Sequence, residues 1–199
     1  MPRLHTRQRK RANTSYHVYS RGNAGQRVFN DRCDRREFIG LFKRYLSTVE
    51  HLRPNGKPYD SLIGRLTLIA YCLMPNHFHL VIHQIDRDAL ELLMRRVLTA
   101  YTKYFNNRHG RTGALFQHEY RSKPIHDVEQ MKSTIAYVHD NHWEGPNHEF
   151  ASHRYYVGSA ADRPTWLDVG AGLAVFGGAT AYATYMVRVD RQSVQMPLR

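Results

Sequence analysis

Hydrophobic residues recur along the chain at two different spacings, one typical of strands and one typical of helices, and these spacings predict where strands and helices lie. Four short segments are rich in strand-forming residues and are bounded by turn or polar residues. The second and third of them are separated by only three residues, which predicts a hairpin. The four predicted strands are residues 16–21, 66–73, 77–83 and 121–125.

Three longer segments carry apolar residues at spacings of three and four, the pattern of amphipathic helices. They are residues 34–49, 86–106 and 127–141. The first and third begin with a capping box, at Asp34 and Asp127, because each aspartate is followed three residues later by Glu or Gln. Residues between the first helix and the second strand are rich in Pro, Gly and Asn, which indicates a loop.

The order strand, helix, strand, strand, helix, strand, helix predicts an α+β fold. We expect a ferredoxin-like or RRM-like antiparallel sheet with helices on one face and an additional helix. Residues 1–145 then form the main domain, with a basic N-terminal arm over residues 1–15. Residues 146–199 form a C-terminal extension packed on the same domain, with short helices predicted at 167–175 and 179–187.

Charge narrows the choice of partner. The 199 residues contain 29 Lys and Arg against 17 Asp and Glu, a net charge of +12 that attracts polyanions. Thirteen tyrosines and eight phenylalanines among these charges could stack on bases. An anionic membrane surface is the alternative, but neither end has a basic amphipathic helix. We therefore predict nucleic acid, with candidate contacts at Arg3, Arg7, Arg9, Lys10, Arg11, Arg21, Arg121 and Lys123.

Location is indicated by what the sequence does not contain. No run approaches the roughly 20 apolar residues that span a bilayer, and the first residues lack the apolar segment of a signal peptide. Cys33 and Cys72 have neither metal-type spacing nor the density of a disulfide scaffold. We expect a cytoplasmic, nucleoid-associated protein in which both cysteines are buried thiols.

His77 and His79 lie two apart on a predicted strand, so both imidazoles project from one face while Phe78 points into the core. Such a pair can chelate a metal ion. However, 13 histidines in 199 residues produce roughly one His-x-His by chance, so the motif alone is weak. The alternative is two half-exposed histidines bonded to water or backbone.

The third predicted helix carries a polar stripe beside its apolar face. Tyr137 and Asn141 lie one turn apart on that stripe, where the amide oxygen could ligate a cation or accept a hydrogen bond. The alternative is an ordinary exposed tyrosine beside an exposed asparagine. The apolar face comprises Val128, Met131, Ile135 and Val138, and the polar stripe Gln130, Thr134, Tyr137 and Asn141.

At residues 71–82, Tyr-Cys-Leu-Met-Pro-Asn-His-Phe-His-Leu-Val-Ile resembles the histidine–hydrophobic–histidine (HUH) segment of single-tyrosine transposases, the REP-associated tyrosine transposases in particular. Residues 16–23, 102–117 and 135–141 resemble three further segments of that family, in the same order. One departure is that His142 follows Asn141 where the family usually has proline. A proline would stop the helix, so the helix end and the orientation of Asn141 are in question.

The resemblance implies that Tyr137 is the nucleophile, that His77 and His79 are metal ligands and that Asn141 is a third polar ligand. It also implies Mg²⁺ or Mn²⁺ as cofactor, no small-molecule cofactor, and single-stranded or hairpin DNA from palindromic repeats as partner. The protein would act as a monomer or homodimer. We predict a metal-dependent enzyme that nicks and joins single-stranded DNA through a 5′-phosphotyrosine.

Two other functions remain open. The same fold could grip hairpin DNA or RNA as a non-catalytic regulator derived from a transposase. Alternatively, a metal-dependent hydrolase could use water as its nucleophile, and would then form no covalent protein–DNA species.

Overall fold

The computed structural model describes residues 10–141 and 149–190. Its core is a four-stranded antiparallel sheet in the order β2-β3-β1-β4. The α+β prediction is therefore confirmed. The strands are β1 (Thr14–Arg21), β2 (Leu66–Met74), β3 (His77–Gln84) and β4 (Arg121–Ile125), and the helices are α1 (Arg32–Leu46), α2 (Ala89–Arg108), α3 (Val128–Asp140), α4 (His153–Val157), α5 (Val169–Phe176) and α6 (Ala179–Asp190).

Alternation along β3 divides its residues between the two faces of the sheet. Phe78 is fully buried and its ring centroid lies 5.0 Å from that of Phe38 on α1, so this face carries the apolar core under α1 and α2. His77 and His79 lie on the opposite face, which α3 covers. The sheet thus separates the main core from the histidine pair.

Helix α1 begins earlier than its sequence pattern indicated. Asp31, rather than Asp34, is the N-cap, because its carboxylate accepts from the backbone N–H groups of Cys33 and Asp34. Asp34 is fully buried and accepts from the backbone N–H of Asn30 and from Arg108 at the end of α2. The capping-box pattern was misleading, because Asp34 forms an ion pair between α1 and α2 instead of capping α1.

Three smaller expectations were also wrong. Cys33 is exposed at the first turn of α1, and only Cys72 is a buried thiol. Helix α2 begins at Ala89 rather than near residue 86. Val128 lies at the start of α3 and is 57% exposed, because the first turn of the helix extends beyond the sheet that buries the later turns.

The C-terminal segment lies along the free edge of β2. Ser152 donates its backbone N–H to the carbonyl of Tyr71, and Asp168 donates to that of Leu68. These bonds cover backbone groups that an edge strand would otherwise expose. The two short helices predicted in this region correspond to α5 and α6. Within the described residues, no helix combines the length and apolarity needed to cross a membrane.

A buried polar network joins this segment to α3. His139 on α3 is fully buried, with Nδ1 2.8 Å from the hydroxyl of Tyr182 on α6 and Nε2 2.7 Å from the hydroxyl of Ser152. The Tyr182 hydroxyl also lies 2.5 Å from His153 Nδ1. The Ser152 hydroxyl in turn accepts the backbone N–H of Tyr71 at 2.8 Å. The network fixes α3 relative to β2.

Replacing Ser152 by alanine should therefore destabilise the protein by about 3 kcal/mol, because the Tyr71 N–H and His139 lose a partner with no access to water. Chemical denaturation would measure the free energy of unfolding. Ser61→Ala is the control: its hydroxyl accepts an N–H in an exposed loop, so the loss should be within about 0.5 kcal/mol. Equal losses in the two variants would show that the network contributes nothing.

Candidate active site

His77 and His79 of β3 face a cleft of about 150 Å³ on the α3 side of the sheet. Their ring centroids are 5.0 Å apart, and their planes are nearly perpendicular. Tyr19 lies directly opposite His79 in the register of β1 and β3. The cleft is lined by Tyr19, Ser20, Arg21, His77, His79, Gln117, His118 and Arg121.

Each imidazole uses one nitrogen and leaves the other without a partner. His77 Nδ1 lies 2.7 Å from Oδ1 of Asn76, and His79 Nδ1 lies 2.9 Å from Nε2 of His17. An amide oxygen can only accept, so His77 carries its proton on Nδ1. The Nε2 atoms of His77 and His79 are both buried and have no hydrogen-bond partner.

Burial keeps both rings neutral at physiological pH. Burial, assisted by the nearby Arg21 guanidinium, lowers the pKa of His77 to about 4, although Asn141 acts in the opposite sense. It also lowers the pKa of His79 well below its ordinary value, assisted by His17 and His77. A neutral imidazole with a free lone pair is the form that ligates a metal ion.

Tyr137 lies on the last turn of α3, against these rings. Its ring centroid is 5.3 Å from that of His79 and 5.7 Å from that of His17, edge-on in both cases. The side chain is only 9% exposed, and burial raises the pKa of its phenol. Two members of the polar stripe predicted for α3 are therefore buried instead of facing solvent: Tyr137 packs against imidazoles, and Thr134 is 3% exposed.

Asn141 follows the last residue of α3 and donates its backbone N–H to the carbonyl of Tyr137 at 3.0 Å. Hydrogen bonding to its side chain partly offsets the lowered pKa of His77 and the raised pKa of Tyr137, so the amide lies within reach of both side chains. The thiol of Cys72 on β2 donates to the carbonyl of Asn141 at 2.7 Å. The helix thus ends at the expected place with no proline, although His142 itself lies outside the described residues.

The predicted basic contacts fall in different places. Arg21 and Arg121 line the cleft, and Lys123 lies opposite His17 in the register of β1 and β4. Lys10 and Arg11 border a larger cavity of about 530 Å³ beside the edge strand β4. The remaining predicted contacts, Arg3, Arg7 and Arg9, lie outside the described residues.

The donors fit a single divalent cation. The buried Nε2 atoms of His77 and His79, each as a lone pair, and the amide oxygen of Asn141 would form an open set of three ligands, which would leave positions for phosphate oxygens. Over the part of the chain that the structure describes, no three His, Cys, Asp or Glu side chains converge into a metal cluster. A cation here would therefore depend on the histidine pair and the amide.

Besides Ser20, four residues of the cleft and its floor were not singled out from the sequence as site residues: His17, Tyr19, Gln117 and His118. The first two alternate along β1 in step with His77 and His79, a period-two signal that could have placed them on the same face. The other two belong to the loop before β4, whose path no local pattern predicts.

Comparison with known proteins supports the resemblance noted in the sequence. Residues 62–141 match the sequence family described as IS200-like transposases. The chain is also similar to a solved structure of a REP-associated tyrosine transposase bound to a REP hairpin, with 15% sequence identity and a TM-score of 0.53. That similarity covers 82% of this chain and 91% of the other, and it shows that the two share a fold. No curated protein sequence matches the chain.

Proposed function

We propose that this chain is a transposase-like enzyme that nicks and joins single-stranded DNA next to a hairpin, through a covalent bond to Tyr137. The observation that carries the proposal is the edge-on packing of the Tyr137 ring against His79, whose Nε2 is buried without a partner. The transposase of similar fold binds a REP hairpin, which supports hairpin DNA as the partner. The net charge of +12 suits such a polyanion.

In the proposed reaction, the Tyr137 oxygen attacks the scissile phosphorus. A bond forms between the phenol oxygen and the 5′-phosphate, and the bond from phosphorus to the 3′-oxygen breaks. The phenol loses a proton and the departing 3′-oxygen gains one, so protons balance. Because the phosphodiester becomes a phosphotyrosine ester, a second 3′-hydroxyl can reverse the step and join two strands.

Each site residue has a proposed part in this step. A divalent cation held by His77, His79 and Asn141 would act as a Lewis acid on the phosphate. Arg21 and Arg121 would hold the flanking phosphates in the cleft, where the Arg fork matches phosphate oxygens. The raised pKa of Tyr137 means that little phenolate exists at pH 7 without substrate. Asn141 counteracts that shift.

Metal dependence is tested with the double variant His77→Ala/His79→Ala. Cleavage of a labelled hairpin oligonucleotide in Mg²⁺ or Mn²⁺ should fall at least about 100-fold, a loss typical of removing a group that stabilises developing charge. His83→Ala is the matched control, since His83 lies on the same face of β3 but bonds to Ser15. Full activity of the double variant, or of wild type in EDTA, would refute the metal site.

The proposed phosphate contacts of Arg121 and Lys123 can be tested by measuring DNA affinity at different salt concentrations. The double variant Arg121→Ala/Lys123→Ala should bind hairpin DNA more weakly whatever its sequence, and the slope of log K against log salt should become shallower by about 2. Fluorescence anisotropy at several salt concentrations measures this slope. Lys57→Ala/Lys43→Ala, which removes two cations away from the cleft, is the control. An unchanged slope in the Arg121/Lys123 variant would remove these residues from the DNA path.

The non-catalytic alternative is favoured by one observation, the 9% exposure of Tyr137. A regulator would bind hairpin DNA with this side chain remaining packed, and no adduct would form. Detection of a covalent protein–DNA adduct separates the two. The choice between monomer and homodimer stays a prediction, as does the division at residue 145.

A further inference from the structure

We infer that His17 is a positioning residue that holds the His79 ring with Nε2 directed at the cation. The inference rests on the proposed function, since it concerns how the same site is built. His17 lies on β1, the strand next to β3, and contacts His79 directly. Neither the HUH segment nor the nucleophile helix contains it.

His17 contacts both the proposed ligand and the proposed nucleophile, which also contact each other. Its ring is stacked on His79, with centroids 5.1 Å apart and planes 24° from parallel, and it meets Tyr137 edge-on. It is 8% exposed, while His79 is fully buried. Because water has so little access, another acceptor for His79 Nδ1 is not at hand if the His17 ring is removed.

The position of the proton in the His17–His79 hydrogen bond decides whether His79 can bind a metal ion. The two nitrogens are 2.9 Å apart, so one of them carries the shared proton. If His17 donates, neutral His79 must carry its own proton on Nε2, which is then a buried donor with no partner and cannot ligate. If His79 Nδ1 donates, its Nε2 lone pair faces the site. The metal-binding tautomer therefore requires His17 to act as an acceptor.

His77 has an equivalent orienting acceptor in its neighbour. Asn76 Oδ1 accepts from His77 Nδ1 at 2.7 Å, within the turn that joins β2 and β3. His79 has no such neighbour, because Phe78 and Leu80 point into the opposite core. The acceptor has to come from an adjacent strand, and His17 supplies it.

The test is metal affinity of the whole, DNA-free protein, measured with Mn²⁺ by the loss of the free-ion EPR signal. His17→Gln places an amide oxygen near the position of the imidazole Nε2, whereas His17→Met has a similar length without that oxygen. We expect His17→Met to weaken Mn²⁺ binding about 10- to 100-fold, and His17→Gln to stay within about threefold of wild type. His83→Met is the control, because it removes a histidine on the same face of β3 that bonds to Ser15, and it should bind Mn²⁺ as wild type does.

Two further measurements keep the outcomes distinct. His79→Ala reports whether the proposed site binds the ion: if it binds Mn²⁺ like wild type, the metal site fails, and the role of His17 fails with it. If His79→Ala loses binding while His17→Met does not, the inference about His17 alone is overturned. Should His17→Met fail to fold, long-range ¹H–¹⁵N NMR of wild type decides, since a His79 protonated at Nε2 in the Mg²⁺ form would contradict the inference.

Discussion

Tyr137→Phe should abolish both strand cleavage and the covalent protein–DNA adduct, while leaving affinity for hairpin DNA within a few fold of wild type. The change removes one oxygen from a ring that packs against His17 and His79, so packing is preserved. Loss of a nucleophile lowers the rate of the chemical step by about 10⁴-fold or more. Single-turnover assays on denaturing gels, with the oligonucleotide labelled at either end, measure cleavage and adduct together.

Tyr19→Phe is the matched control for this variant. Tyr19 is a second phenol at the same cleft, opposite His79 in the sheet register. It lies on a strand, so it lacks the amide that Asn141 places one helical turn from Tyr137. We expect an adduct from Tyr19→Phe and none from Tyr137→Phe. The reverse pattern would assign the nucleophile to β1, and metal-dependent cutting by both variants without an adduct would favour water as the nucleophile.

Acid should destabilise the metal-free protein steeply. Burial holds the pKa of His17 and His77 at about 4 and that of His79 and His139 well below the ordinary value. In the unfolded chain these groups titrate near 6.5, so below that pH the unfolded state binds more protons. Above pH 6.5 the rings are neutral in both states, and the folded protein keeps its full stability. As the pH falls from 6.5 toward 4, protonation of the unfolded chain lowers the free energy of unfolding. Each histidine contributes up to about 1.4 kcal/mol per pH unit in this window.

Urea denaturation in EDTA at several pH values measures the effect. The slope of unfolding free energy against pH between 6.5 and 5 should correspond to several protons taken up on unfolding. His17→Gln removes one of the four groups and should reduce that uptake by about one proton. A free energy of unfolding that is flat from pH 7 to pH 5 would show that these rings are not held neutral by burial.

The sequence predicted the sheet and the main helices well, because their signals are local. Four strands and three long helices follow from hydrophobic periodicity, and the cap of α3 follows from Asp127, whose carboxylate accepts the N–H of Gln130. The same local rule failed at Asp34. There, Arg108 from a distant helix provides a charge that makes burial of the carboxylate favourable, and no local pattern contains that partner.

The candidate site was predictable to a similar extent. His77, His79, Tyr137 and Asn141 converge because strand and helix periods place them on facing surfaces. His17 and the thiol of Cys72 were not anticipated, since their importance depends on the register between strands and on where the end of α3 meets β2. The burial of Tyr137 was also missed, because the residues that cover it belong to the sheet.

The central claim is that the Tyr137 oxygen becomes bonded to the 5′-phosphate of cut DNA. Mass spectrometry of peptides from a trapped adduct, formed with wild-type protein, Mn²⁺ and a single-stranded hairpin substrate, tests it most directly. The account predicts a nucleotide-modified peptide whose fragments place the phosphate on Tyr137, together with release of a free 3′-hydroxyl strand. A modification on any other residue, or cleavage that leaves every tyrosine unmodified under trapping conditions, would contradict it.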